Sequence, residues 1–190
     1  MAESARKNSL TLVLLIVVVI MGGEIIYLII QNRRLQSMVA ETPSLQVLQP
    51  GETLPPLSAT DLDGASVAIQ FGERAPSTIL IWFSPSCHLC AENAAFWNDI
   101  YARYHASADV RFLVMSDAAA NETKAYVAEH ALRFPVACVT DESLIEAYNG
   151  RVMPQTALIS PRGGIEKVWP GALEHARQEE ITAVLDSLTM

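Results

Sequence analysis

Apolar positions follow two unlike patterns along the chain. From Leu10 to Ile30 they run almost without relief, "LTLVLLIVVVIMGGEIIYLII", 21 residues with Glu24 as the one charge. From residue 47 onward they come in short runs separated by turn residues. "DLDG" at 61–64 predicts a turn between two short extended segments, the second being "ASVAIQF". "STILIWF", residues 77–83, is β-branched and nearly all apolar, as a central strand buried on both faces requires. In "AENAAFWNDIYARYH", Phe96, Trp97, Ile100, Tyr101 and Tyr104 recur at helical spacing. "VRFLVM" (110–115) reads as a second buried strand. "NETKAYVAEHAL" reads as a helix capped by Asn121, and "FPVACV" as a short strand. "DESLIEAYNG" reads as a helix that starts at Asp141 and stops at Gly150. "PQTALIS", the turn "PRGG" and "IEKVW" predict a closing hairpin, and a last helix spans roughly Leu173 to Leu188.

The order is hairpin, then β-α-β-α-β-α-β-β-α. Alternating strands and helices call for parallel pairing through right-handed crossovers, and the final hairpin adds antiparallel pairing. The expected fold class is α/β, a mixed central sheet with helices on both faces, preceded by one N-terminal transmembrane helix. At 1.5 Å per residue, residues 10–30 are long enough to span a bilayer. The rival reading is a cleaved signal peptide with its apolar core at Leu10–Met21, but the run resumes at Ile25 and no Ala-x-Ala site follows. The expected organisation is a tail (1–9), an anchor (10–30), a polar stalk (31–46) and a folded domain (47–190). Arg6 and Lys7 flank one end of the span and Arg33 and Arg34 the other, so charge leaves its orientation open. Glu24 sits at a depth where an ionisable group is costly. It is either a protonated or snorkelling carboxyl or a point of helix association.

Composition narrows the function. A net charge of −8 argues against nucleic acid, whose phosphates demand a basic surface. Three cysteines are too few for a disulfide scaffold. Two of them, Cys87 and Cys90, stand two residues apart in "WFSPSCHLC", at the junction of the first central strand and the helix after it.

That junction favours redox chemistry. Unpaired N–H groups and the dipole at a helix N-terminus stabilise an anion, here the Cys87 thiolate. One helical turn on, Cys90 is near enough to form a disulfide with it. Cys87 would attack a partner's disulfide and Cys90 would resolve the mixed intermediate. His88 between them can lower the Cys87 pKa when charged, or be an inconsequential exposed residue. Cys138, inside "FPVACV", reads as a buried core thiol. A structural zinc site wants four donors, and no second Cys pair exists. A copper-binding assembly factor using Cys87, Cys90 and a distant histidine such as His175 is the alternative from another class. A purely structural disulfide is disfavoured because so small a loop restrains little unfolded-chain entropy.

Strand, CxxC, helix and then the proline of "VMPQTALIS" ahead of a hairpin resemble the thioredoxin fold. Within it the chain resembles the membrane-anchored TlpA/ResA branch of thiol–disulfide oxidoreductases, over about residues 47–188. "LPPLSATDLDGASVAI" is similar to the extra N-terminal hairpin of that branch. The Ser-Pro-x-Cys approach is shared with the methylamine-utilisation accessory protein MauD. The resemblance implies that Pro154 is a cis-proline facing the cysteines and that Met153 offers backbone groups to a substrate strand. It implies no organic cofactor, since the dithiol itself carries two electrons. As partners it implies cysteine-containing proteins, a membrane electron donor or acceptor, and the lipid bilayer through the N-terminal helix. The implied location is the cytoplasmic membrane, single-pass, with the domain facing the periplasm or cell exterior. Cytochrome c maturation and assembly of a periplasmic enzyme are the implied processes.

Several positions depart from the branch. Ser86 replaces a common Trp, Leu89 a common Pro, and Asn93 an acidic residue, with Glu92 shifted by one. Ile81 stands where thioredoxin itself carries a buried Asp. A peroxiredoxin would need Pro-x-x-x-Thr/Ser-x-x-Cys. Counting back gives Leu80 and Ser84 from Cys87, and Phe83 and Cys87 from Cys90, and neither fits.

Overall fold

The computed structural model describes residues 20–28, 31 and 47–190. Residues 20–28 are helical, and their large apolar side chains, from Ile20 to Leu28, are 55–66% exposed. Glu24 lies on this helix and is exposed. Among the described residues no helix is long and apolar enough to cross a membrane. The ends of the expected span, the tail and the stalk apart from Gln31 lie outside the described residues. The chain divides into two units, Met1–Ser44 and Leu45–Met190.

The second unit is built on a seven-stranded sheet. In chain order its elements are β1 (Leu57–Asp61), β2 (Ser66–Ile69), β3 (Ser77–Phe83), α1 (His88–Tyr104), β4 (Val110–Ser116), α2 (Ala120–Glu129), β5 (Val136–Cys138), α3 (Glu142–Ala147), β6 (Gln155–Ile159), β7 (Ile165–Pro170) and α4 (His175–Leu188). The spatial order is β2-β1-β5-β4-β3-β6-β7. β3, β4 and β5 pair in parallel, and the remaining pairs are antiparallel. This is the mixed sheet that the element order predicts.

β3 lies inside the sheet, between β4 and β6, and every one of its residues is buried. Its side chains alternate between two cores, as a strand's must. Ile79, Ile81 and Phe83 join Trp97 and Ile100 of α1, Tyr126 of α2, and Ile181 and Leu185 of α4. Leu80 and Trp82 join Ile145 of α3, Tyr148, and the N-terminal Leu48 and Leu54. Each such large side chain taken out of water contributes about 1.5–3 kcal/mol. The two cores are what clamp β3 from both faces, and its C-terminal end is where the cysteines follow.

Local chemistry explains most boundaries. In the β1–β2 turn, Asp61 Oδ1 accepts from the backbone of Asp63 and Ala65 at 2.9 and 2.8 Å. Asp141 caps α3, its Oδ1 accepting from the Ser143 hydroxyl at 2.6 Å and the Ser143 amide at 2.8 Å, and these bonds hold its carboxyl below the usual range. Gly150 ends that segment, and the Trp82 ring occupies the place a Cβ there would take.

Two boundaries differ from the sequence reading. Asn121 does not cap α2, whose N-cap is Ala119. The run of alanines before Asn121 extends the helix, with the Thr123 amide bonded to the Ala119 carbonyl at 3.0 Å. The last helix begins at His175 after the N-cap Glu174, slightly beyond the expected Leu173, whose amide donates to the side chain of Asn93.

Candidate active site

The end of β3 and the start of α1 build the first half of the site. Cys87 is the N-cap of α1 with extended dihedrals, so the chain turns sharply there from strand to helix. Its amide donates to the Ser84 carbonyl at 3.0 Å, and the Cys90 amide donates to the Cys87 carbonyl at 3.1 Å. The two cysteines form a disulfide, with Cα atoms 5.4 Å apart. Cys90 is fully buried and Cys87 half-buried. Only the first sulfur is therefore open to a partner. His88 is exposed, its side chain 92% accessible and 3.9 Å from Glu92. Leu89 is 44% exposed, and apart from Met190 it is the one large apolar residue of 47–190 so exposed.

The second half is the loop before β6. The Met153–Pro154 peptide bond is cis. Met153 is half-buried and, like Cys87, packs against the core that contains Cys90. Gln155, which the sequence reading did not single out, fixes this loop from inside. It is fully buried, its Oε1 accepts from the Leu48 amide at 2.9 Å, and its Nε2 donates to the carbonyls of Asn149 and Val152 at 2.8 and 2.7 Å. The available signal was a long amide at the head of an otherwise apolar strand.

Asn93 joins the halves. One turn beyond Cys90 and buried, it donates from Nδ2 to the Gly171 carbonyl at 3.1 Å and accepts the Leu173 amide on Oδ1 at 2.8 Å. Gly171 in turn donates its amide to the Pro154 carbonyl at 2.8 Å. Gly171 has φ +78°, a conformation that L side chains rarely adopt. The continuous chain Cys90–Asn93–Gly171–Pro154 ties the dithiol helix to the cis-proline. The Asn93 amide acts here as both donor and acceptor, whereas a carboxylate at this position could only accept.

Ile81 is buried in the core, so no carboxylate approaches Cys90 from that strand position. A carboxyl does lie nearby at the end of β4. Register pairs Phe83 with Ser116, the last residues of β3 and β4, and Asp117 follows directly after β4. Burial pushes the Asp117 pKa up and Glu122 adds to that, while the Ser84 hydroxyl and Asp117's own amide pull it down. Cys138 is buried in β5 as a free thiol.

The copper set of Cys87, Cys90 and His175 is not assembled. His175 begins α4 and faces Glu179 at 3.2 Å, and among the described residues no three His, Cys, Asp or Glu side chains group as ligands.

Comparison with known proteins agrees with this geometry. The Redoxin family model matches residues 49–185. The thiol-disulfide oxidoreductase ResA of Bacillus anthracis is 22% identical over 184 residues, covering 97% of this chain and 99% of its own length. Among solved structures, a putative thiol:disulfide interchange protein DsbE from Chlorobium tepidum superposes with a TM-score of 0.64 at 19% identity. It covers 75% of this chain and 99% of that one. StoA from Bacillus subtilis gives 0.56 at 19% identity, covering 70% and 99%. With the family model spanning most of the folded unit and a disulfide-forming CxxC at its centre, the chain belongs to the Redoxin family, as a TlpA/ResA-like thiol–disulfide oxidoreductase.

Proposed function

We propose that the protein is a membrane-tethered oxidoreductase that exchanges disulfides with cysteine-bearing proteins outside the cytoplasmic membrane. The observation that carries the exchange is the asymmetry of the pair: Cys87 half-exposed at a helix N-terminus, Cys90 sealed behind it.

In the reducing direction, the Cys87 thiolate attacks one sulfur of a partner's disulfide. That S–S bond breaks, the partner's other sulfur leaves as a thiolate, and a Cys87–partner disulfide forms. The Cys90 thiolate then attacks Cys87, the mixed bond breaks, and the partner leaves with two reduced sulfurs while Cys87–Cys90 is oxidised. A membrane electron donor restores the dithiol. Run backwards, the same steps oxidise a partner. Met153 and Pro154 position the partner's extended segment beside Cys87, and His88 favours the thiolate when charged.

The tether is residues 10–30. Its support is the unbroken apolar run and the exposed apolar side chains along residues 20–28. The alignment to ResA over 97% of the chain reaches into this region. Glu24 then faces a helix partner or an interface. Cytochrome c maturation or assembly of a periplasmic enzyme is the process, the latter suggested by the Ser-Pro-Ser-Cys approach.

Trapping tests the exchange. Cys90→Ser is expected to accumulate a mixed disulfide with partner proteins and Cys87→Ser none; the reverse pattern overturns the assignment. The reduction potential fixes direction: about −270 mV marks a reductase and about −120 mV an oxidant. Protease digestion of the domain in spheroplasts, but not in intact cells or inverted vesicles, is the outcome expected of the proposed orientation.

A further inference from the structure

Between residues 20 and 31, "IMGGEIIYLIIQ", the proposed tether carries three polar side chains, Glu24, Tyr27 and Gln31. All three are helical and exposed. An α-helix turns about 100° per residue, so Tyr27 and Gln31 stand within about 60° of Glu24, as do Ile20 and Leu28. Gly22 and Ile26 lie on the opposite side, and neither is polar. The spacing 20, 24, 27, 31 is the alternation of four and three that keeps one seam of a helix against a neighbour crossing at about +20°.

Depth sharpens the problem for Glu24. Ile30, at one end of the apolar run, is six residues away, and Leu10, at the other, is fourteen. At 1.5 Å per residue these separations are about 9 and 21 Å. Helical side chains lean toward the N-terminus, so the Glu24 carboxyl leans toward the middle of the bilayer and away from the nearer boundary. That direction opposes snorkelling, and a carboxyl left facing hydrocarbon is costly. A second helix covering this face removes the cost. Tyr27 leans back over the turn before it and brings its phenol toward the level of Glu24, and Gln31 adds an amide on the same line.

The set is self-complementary. A phenol donates to a carboxylate, and a primary amide both donates and accepts. Two copies of a single-pass chain enter the bilayer in the same sense, so their helices are parallel and equivalent residues meet at equal depth. Each Glu24 then lies within one helical turn of the other copy's Tyr27, and Gln31 meets Gln31. We propose that the face made by Ile20, Glu24, Tyr27 and Gln31 is a contact between two copies of this chain, a parallel pair of tether helices joined through Glu24. This rests on residues 10–30 spanning the membrane. Each such pair carries two Cys87–Cys90 dithiols.

The test uses the full-length protein, purified and placed in phosphatidylcholine vesicles, where a second copy is the one partner on offer. In a background of Cys87→Ser with Cys90→Ser, single cysteines are introduced along the helix and oxidised with copper phenanthroline. The background protein alone reports any contribution of Cys138. Ile20→Cys and Leu28→Cys are expected to give a disulfide-linked dimer, and Gly22→Cys and Ile26→Cys none. The linked fraction, followed as lipid is added, gives an apparent dissociation constant. Adding Glu24→Leu to Ile20→Cys should raise that constant about tenfold, the worth of an interhelical hydrogen-bonded contact. Glu24→Gln keeps an acceptor and gains donors, and should stay within about threefold of the parent or pair more tightly. Equal linking on both faces, a protein that is monomeric in the vesicles, or a Glu24→Leu variant that pairs as well as the parent overturns the inference. A monomer would leave Glu24 to the helix of a different protein. An alkaline carbonate wash keeps the two readings apart. Protein stripped from the vesicles means that the tether fails, whereas protein retained but unpaired means that only the pairing does.

Discussion

The cysteine turn is held by bonds between residues two or three apart: Ser84 with Ser86, Cys87 with Ser84, Cys90 with Cys87. The cis-proline loop is held from across the chain. Gln155 reaches the Leu48 amide 107 residues away, Asn149 donates to Val47 102 residues away, and Asn93 reaches Gly171 over 78. One half of the site is a local object, shaped by its own few residues and a helix terminus. The other exists only when the N-terminal segment, α1 and the β7–α4 turn have all docked. The chemistry of sulfur is therefore encoded in a short stretch, while the place where a partner strand would lie is a property of the whole fold. Changes in the distributed half should weaken stability and partner binding together and leave the intrinsic reactivity of Cys87 largely alone.

The sharpest way to break that contrast is Gln155→Leu. It leaves the Leu48 amide and the Asn149 and Val152 carbonyls buried without their partners. At about 1–3 kcal/mol for each unsatisfied group, a loss of about 3 kcal/mol or more is expected in denaturant unfolding. The KM for a disulfide-bearing protein should rise while the reduction potential of Cys87–Cys90 holds. A shifted potential with an unchanged KM would show that the loop governs the dithiol instead.

Asn93→Ala comes next. It removes the bridge between the dithiol helix and the cis-proline loop, leaving the Leu173 amide and the Gly171 carbonyl without these bonds. About 2 kcal/mol of destabilisation is expected. Because Asn93 belongs to both halves, its loss should move KM and potential together, unlike Gln155→Leu. Gly171→Ala strains the same link less severely. Space is open around the position, so the cost comes from φ +78° alone, about 1–2 kcal/mol by thermal unfolding.

This division also explains what could be read from the chain itself. The alternation in "STILIWF", the helical spacing from Phe96 to Tyr104 and the hairpin turns are short-range patterns, and they yielded the order of the strands and helices. The Cys87–Cys90 pair was legible for the same reason. Asn93 was visible only as a missing acid, because its value lies in two partners 78 and 80 residues away. Gln155 was silent because nothing local distinguishes a clamp from a surface amide. The α2 boundary was misplaced because an asparagine suited to capping directly follows three alanines, the last of which already begins the helix.

The smallest effect tests the local half. Asp117 has its carboxyl pKa raised in the folded protein, chiefly by burial. A group raised on folding stabilises fully below its unfolded pKa, and that contribution is lost as pH rises through the folded value. At neutral pH the ionised carboxylate is therefore a mild burden on the fold, placed beside the turn that carries Cys87. Asp117→Asn removes it. The variant's melting temperature should exceed the parent's at pH 7, and the gain should shrink as pH falls through the range between the two pKa values, vanishing below the ordinary carboxylate value. A gain that grew on acidification would mean that the carboxylate forms a favourable bond in the fold, and would place Asp117 among the structural polar groups of the distributed half. Measured beside Gln155→Leu, it separates a residue that gives up stability near the sulfur from one that supplies stability far from it.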